Sequence, residues 1–139
     1  MKYFLSILIY FLTTLQYSFA KEIHVGKSFQ YKNIKAAIFA AKNGDTVYVH
    51  QGVYKEKTVY INKSLYFIGV NNPVIDAEHK YEVVKIHANN VVFKGFTVQN
   101  SGYATLDDPG GIKVFESNNV TITQNILLNN FFGIYLQQS

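Results

Sequence analysis

The sequence predicts an all-β fold, a right-handed parallel β-helix with three short strands in each turn of the coil and one α-helix capping its N-terminal end. Two internal repeats predict it. The segment 88–100 recurs at 117–129 with an offset of 29 residues, and 111–114 recurs at 133–136 with an offset of 22. Repeats of this length indicate stacked supersecondary units. Because apolar and polar residues alternate within the repeats, those units are strands.

The first 20 residues have the pattern of a cleaved signal peptide. A positive start at Met1-Lys2 precedes an apolar run, 3–15, and small residues at Ser18 and Ala20 suit a signal peptidase. The run is shorter than the roughly 20 residues that a membrane-spanning helix needs; an uncleaved anchor is the alternative. We expect a signal peptide over 1–20 and a β-helix domain over 21–139 in the periplasm.

The amino-acid composition excludes some kinds of metal site and argues against some kinds of binding partner. Cysteine is absent, so disulfides and thiolate metal sites are excluded. All of the positive charge comes from lysine, and removal of Lys2 leaves twelve lysines against nine acidic residues. These lysines are scattered singly, whereas a nucleic-acid-binding face needs clustered basic residues. The sequence therefore predicts no nucleic-acid partner.

After a first predicted strand at 22–25, the segment 33–42 changes to a helical period. Asn33 is placed to cap the helix N-terminus, and Asn43-Gly44 to close it in the left-handed conformation. The apolar stripe at i, i+3, i+4 and i+7 consists of Ile34, Ala37, Ile38 and Ala41. This helix precedes the repeats, where a stack needs a cover for its open end.

From Asp45 onward the pattern is β throughout, with 51–54 predicted to turn the chain. The predicted strands are 46–50, 58–61, 65–68, 74–76, 83–86, 91–93, 96–98, 112–115, 120–122, 126–128 and 134–136. They are short, and most links between them are too short for helical crossovers. A β-sandwich is the main rival, but it favours longer strands and hairpin turns. Recurring asparagines, such as Asn100 and Asn129, suit left-handed turn positions and stacked side-chain ladders.

The coil is expected to carry one projecting loop. The offset from 84–86 to 112–114 is 28 residues, but the next offset is 22, so the extra residues fall in 101–110. Insertions of this kind map to one face of a repeat stack, often the binding face. The last predicted strand begins a turn that is not completed, so we expect the chain to be the N-terminal part of a longer stack; pairing of this edge with another chain is the alternative.

Parts of the sequence resemble known β-helix families. The stretches 33–38, 44–49 and 52–54 resemble the N-terminal part of pectin-lyase-like β-helices. A narrower resemblance, to the NosD family, is carried by Gly-Ile-Lys-Val at 111–114, Ser-Asn-Asn-Val-Thr-Ile at 117–122, Asn125, Asn129-Asn130 and Phe-Gly-Ile-Tyr-Leu at 132–136. Together the resemblances cover 22–139.

The NosD resemblance implies a non-enzymatic periplasmic protein that assists assembly of the copper cluster of nitrous-oxide reductase. Its implied partners are the subunits of a membrane ABC transporter, a copper chaperone and the reductase itself. No copper ligand of that family is matched by motif. Imidazole suits copper, and His79 and His87 flank one predicted strand, which makes them candidate metal ligands; two solvated surface histidines are the plainer alternative. His24 and His50 lie at strand ends, where structural roles are expected.

The rival hypothesis is a lyase or hydrolase that binds polysaccharide. Asp107 and Asp108 are adjacent carboxylates on the projecting loop, suited to acid-base chemistry or to a calcium ion. Asp107-Asp108-Pro109-Gly110 is also an ordinary turn sequence. The lack of arginine counts against a pectate-lyase-like site, where a basic residue, usually arginine, acts beside calcium-bound substrate. A structural or adhesive surface module is the third class.

Overall fold

The computed structural model describes residues 19–103 and 109–139, which form a parallel β-helix of about five turns. The predicted fold is confirmed. The strands of the described residues are β1 (Glu22–Val25), β2 (Thr46–His50), β3 (Val53–Tyr54), β4 (Val59–Ile61), β5 (Tyr66–Val70), β6 (Val74–Asp76), β7 (Val84–Ile86), β8 (Val91–Lys94), β9 (Thr97–Gln99), β10 (Gly110–Phe115), β11 (Val120–Thr123), β12 (Ile126–Leu128) and β13 (Phe132–Gln137). The helix α1 spans Ile34–Ala40.

The strands form three parallel sheets along the coil. Sheet A has the order β1-β2-β5-β8-β11, sheet B the order β3-β6-β9-β12, and sheet C the order β4-β7-β10-β13. Most of the predicted signal peptide, with the candidate residues Asp107 and Asp108, lies outside the described residues. Within the described ranges no helix is long and apolar enough to cross a membrane.

The register of the sheets accounts for both repeats. Phe93 of β8 pairs with Ile122 of β11, which is the 29-residue offset. Ile112 of β10 pairs with Ile134 of β13, which is the 22-residue offset. Each repeat therefore returns a residue to the same place one turn later, and apolar residues stack on apolar residues.

Aromatic stacking fills the centre of the coil. The side chains of Phe67, Phe93 and Phe96 are fully buried. The Phe93 and Phe96 ring centroids lie 4.6 Å apart, and Phe67 stacks at 5.0 Å from Phe96 and 5.6 Å from Phe93. Offset rings at such distances add to the free energy of apolar burial. Because the chain has no cysteine, its stability depends on this packing and not on disulfides.

Helix α1 packs against β1, β2 and β4, with its apolar stripe buried. Asn33 caps it as predicted, since Asn33 Oδ1 accepts a hydrogen bond from Ala36 N at 2.8 Å. The predicted closure by Asn43-Gly44 is wrong, because the chain becomes extended at Ala41. Lys63 Nζ instead donates to carbonyl oxygens at the end of the helix, those of Ile38 (2.7 Å), Phe39 (3.0 Å) and Ala41 (2.7 Å).

The corners of the coil rely on asparagine. Asn90, Asn100, Asn119 and Asn129 all have positive φ, a conformation that asparagine tolerates. Asn119 Nδ2 donates to Asn90 Oδ1 at 2.7 Å one turn away. The expected ladder is thus present. One corner differs from expectation: Val53–Tyr54, predicted as a turn, is a short strand that pairs with β6.

Candidate functional site

The outer face of sheet C presents a row of lysines and tyrosines. Tyr60 of β4 pairs with Lys85 of β7, Lys85 with Lys113 of β10, and Lys113 with Tyr135 of β13. Side chains at paired positions of parallel strands point to the same face. The four residues therefore form one column across successive turns of the coil.

A groove of about 420 Å³ borders this column on the side of Gly102, Tyr103 and Pro109. We call it the lysine groove; its described lining residues are Thr58, Lys80, Tyr81, Glu82, Lys85, Gly102, Tyr103, Pro109 and Lys113. Three lysines against one glutamate give this lining a positive charge. Two tyrosines add flat, amphipathic surface of the kind that packs against sugar rings.

The wall of the lysine groove is fixed by close backbone contact. Gly102 N donates to Tyr81 O at 2.8 Å, which joins the start of the loop to the preceding turn. A β-carbon on Gly102 would lie 3.1 Å from the backbone carbonyl carbon of Lys80, so a larger residue would push the two segments apart. Glycine at 102 allows the two backbone segments to lie this close without displacing either of them.

The charges of the groove are held in place by neighbours. Lys113 Nζ lies 3.9 Å from Glu82 Oε1, and both side chains are largely buried, at 14% and 16% exposure. Lys113 Nζ also lies 5.3 Å from the Tyr135 ring centroid, and Lys85 Nζ lies 5.4 Å from that of Phe115. These cation–π contacts orient the ammonium groups over sheet C.

The two histidines named as metal candidates lie at different corners. His79 follows β6, and its ring stacks on Tyr103 with centroids 6.1 Å apart. His87 follows β7, so the strand separates the two residues. A metal role for this pair remains a prediction.

His87 lies between polar side chains of the preceding and the following turn. Its Nδ1 lies 2.9 Å from Tyr60 Oη, and its Nε2 lies 3.5 Å from Glu116 Oε2. Both ring nitrogens therefore have partners within the protein. A metal ion at His87 would have to displace one of them.

A different pair of histidines is brought together on the outer face of sheet A. His24 of β1 and His50 of β2 have their Nδ1 and Nε2 atoms 2.9 Å apart. Phe29 stacks on both rings, with centroids 4.1 Å from His50 and 5.2 Å from His24. Burial, followed by the neighbouring His24, lowers the pKa of His50, which favours a neutral ring.

Asp76, an acidic residue in an early turn, has a structural environment. Burial opposes its ionisation, but hydrogen bonds from the Gln99 side chain, the Glu78 backbone and the Asn100 side chain outweigh burial and hold its pKa below the usual value. Gln99 Nε2 donates to Asp76 Oδ2 at 2.9 Å. With its oxygens engaged, Asp76 ties the coil together between turns.

Sequence reasoning missed both the lysine groove and the contact between His24 and His50. The groove combines residues of several turns, and only the register of sheet C aligns Lys85 with Lys113. The offset of 28 between these lysines is visible in the sequence and was the available signal. Among the described residues, no cluster of three or more His, Cys, Asp or Glu is arranged to hold a metal ion.

Comparison of the chain with models of known families and with curated proteins finds no match.

Proposed function

We propose that this chain is an exported, non-enzymatic β-helix protein that assists assembly of the copper cluster of nitrous-oxide reductase, in the manner of the NosD family. The observation that carries the proposal is the pairing of β10 with β13. These two strands contain the motifs of the resemblance, Gly-Ile-Lys-Val and Phe-Gly-Ile-Tyr-Leu, and they lie side by side in sheet C.

The paired motifs are fitted to each other. A β-carbon on Gly111 would lie 2.7 Å from Asn130 Nδ2 and 2.8 Å from the Gly133 carbonyl oxygen. Asn130 in turn accepts from Ser101 N at 3.1 Å and donates to Val98 O at 2.9 Å. Glycine at 111 and asparagine at 130 are thus a matched set in the packing of these turns, and we take this match as support for the proposal.

In this proposal the protein works in the periplasm, and copper is its cargo. Its partners are the subunits of a membrane ABC transporter, a copper chaperone and the reductase. The outer face of sheet C, which includes exposed Tyr60, supplies surface for protein contacts. The rigid coil would hold such contacts at fixed spacing along its axis.

Deletion of the gene in its own host tests the proposal. We expect the reductase purified from the deletion strain to lack its copper cluster, seen in copper content and visible absorption, and the full-length gene to restore both. A variant without residues 1–20 is the matched control; it should not restore the cluster, because the protein would stay in the cytoplasm. A fully loaded reductase in the deletion strain would refute the proposal.

The lysine groove favours a second candidate function, binding of an acidic polysaccharide. Lys80, Lys85 and Lys113 supply positive charge, and Tyr81 and Tyr103 supply ring surface. We expect an oligogalacturonate to bind more tightly than a neutral oligosaccharide, and Lys85→Ala with Lys113→Ala to weaken binding. Lys27→Ala with Lys42→Ala is the control of equal charge.

The same binding experiment can also test this second candidate for a calcium requirement and for catalysis. Titrations with calcium and with EDTA test for a bridging ion, for which Asp107 and Asp108 are the candidate ligands. Ultraviolet absorbance of an unsaturated product separates a lyase from a binding protein. Equal affinity for acidic and neutral sugars would remove this candidate.

A further inference from the structure

The outer face of sheet A carries an imidazole pair that the turns of the coil assemble from distant sequence. β1 and β2 run parallel with His24 opposite Tyr48, so His50 lies two residues further along on the same face. The two rings meet through His24 Nδ1 and His50 Nε2, 2.9 Å apart. We propose that His24 and His50 together form a copper-binding site.

The spacing suits two ligands of one metal ion. First-row metals hold imidazole nitrogens at about 2.0–2.1 Å, so two ligands at a right angle lie about 2.9 Å apart, and two at the tetrahedral angle about 3.3 Å apart. The nitrogens of His24 and His50 already have the right-angle spacing. Binding requires two changes: the rings turn so that both lone pairs aim at one point, and the proton of the hydrogen bond between the two nitrogens leaves the nitrogen that carries it.

The surrounding residues hold the pair in place. Phe29 stacks on both imidazoles, and Tyr48 stacks on His24 with centroids 5.2 Å apart. Gly26 makes room for this packing, since a β-carbon there would lie 3.2 Å from the Phe29 ring and 3.3 Å from His50 Cβ. This packing limits the rotamers open to the two imidazoles, which lowers the entropy lost on metal binding.

Glu22 lies beside the ring nitrogen of His24 that does not contact His50. Its Oε2 lies 3.9 Å from His24 Nε2, the nitrogen that faces away from His50. A carboxylate beside the far nitrogen of a ligating histidine favours the tautomer whose proton is on that nitrogen, which leaves the other nitrogen free for the metal. His24 Nδ1 is then the ligand atom.

Copper is the metal that this donor set favours. Thiolates are absent from the chain, and imidazoles without carboxylate ligands disfavour magnesium and calcium. Among divalent first-row ions, copper binds such nitrogen sites most tightly. With two histidine ligands among the described residues, the remaining positions are open to water or to groups of a partner, which suits an ion that is passed on. That the ion serves reductase assembly rests on the proposed function; the site itself does not.

The site is tested by titrating the exported protein with the cupric ion alone. The protein carries no histidine tag, and its amino terminus is acetylated. Acetylation removes chelation by the terminal amine. We expect one equivalent to bind with nitrogen couplings in the electron paramagnetic resonance spectrum, and His24→Gln or His50→Gln to abolish it. Glu22→Gln should weaken binding about 10-fold.

His79→Gln with His87→Gln is the matched control, and it should leave the equivalent unchanged. Loss of binding in this control, with retention in His24→Gln and His50→Gln, would overturn the proposal. Circular dichroism of each variant checks the fold, so that Phe29→Leu, which keeps both histidines, can replace a variant that unfolds; it should weaken binding. Copper binding without rescue of the reductase would refute only the proposed function, and rescue without copper binding only the site.

Discussion

Gly69 and Gly95 lie against each other on adjacent turns of the coil, so closely that a β-carbon on Gly95 would sit 2.7 Å from the Gly69 carbonyl oxygen. Gly69 belongs to β5, and Gly95 follows β8 at the corner between sheets A and B. Backbone thus packs on backbone at this corner. The close approach sets the spacing of the two turns, because no side chain can separate them.

Alanine at Gly95 should lower the free energy of unfolding strongly, by about 2–4 kcal/mol, since it adds a clash to the strain of a positive φ. Gly95 has φ +85°. Gly44→Ala is the matched control, because Gly44 has φ +90° with no atom within 4 Å of an added β-carbon. Urea unfolding measures both. Equal losses in the two variants would show that the contact with Gly69 contributes nothing.

Replacement of Lys63 by methionine should destabilise the chain by about 1–3 kcal/mol, because three carbonyl oxygens near the end of α1 lose a charged donor. The length of the side chain is kept, so packing changes little. Lys42→Met, at an exposed lysine near the same helix end, is the control for loss of charge. Thermal unfolding compares the two; a Lys63 variant no less stable than the Lys42 variant would exclude the capping role.

Asp76 should make stability depend on acid pH. Its carboxyl has a lower pKa in the folded chain than the ordinary 3.8, so its contribution is full above that value and is lost as pH falls through the folded pKa. Asp76→Asn should remove this part of the acid dependence and cost about 1–3 kcal/mol at neutral pH, since it replaces a charged acceptor. Urea unfolding from pH 7 to pH 2 measures it. An unchanged pH profile in Asp76→Asn would contradict the assignment.

His50 should make stability depend on pH in a higher pH range than Asp76 does. Its pKa is below the ordinary 6.5 in the folded chain, so the unfolded chain binds the proton more readily. Stability is therefore full above pH 6.5 and declines as pH falls below it, until the folded pKa is reached. Between pH 8 and pH 5 the free energy of unfolding should depend less on pH in His50→Gln than in the wild type, as measured by urea unfolding at each pH. An equal dependence in the two proteins would contradict this assignment.

Local sequence patterns predicted most of the fold. The apolar stripe and Asn33 predicted α1 and its cap, because a 3.6-residue period and a capping side chain act over one or two turns of helix. The closure of α1 was not predictable, since its carbonyl oxygens bond Lys63, 22 to 25 residues away. Similarly, Val53–Tyr54 became a strand because β6 was there to pair with it.

The candidate sites were less accessible to sequence reasoning. His79 and His87 are close in sequence, but the intervening strand β7 separates them in the coil. His24 and His50 are 26 residues apart and come into contact because one turn of the coil returns the chain to the same face. Proximity along the chain is therefore a poor guide to proximity in a solenoid, where the length of a turn is the relevant distance.

The sequence by itself determined the stacked coil, because alternation makes strands and repeats at offsets of 29 and 22 place like residues on like residues. The tertiary structure decided which polar side chains meet. Register between neighbouring turns aligned Lys85 with Lys113 and brought His24 to His50, and it depends on turn lengths that vary along the chain. Contacts between turns depend on the summed geometry of every corner between them, which no local pattern encodes.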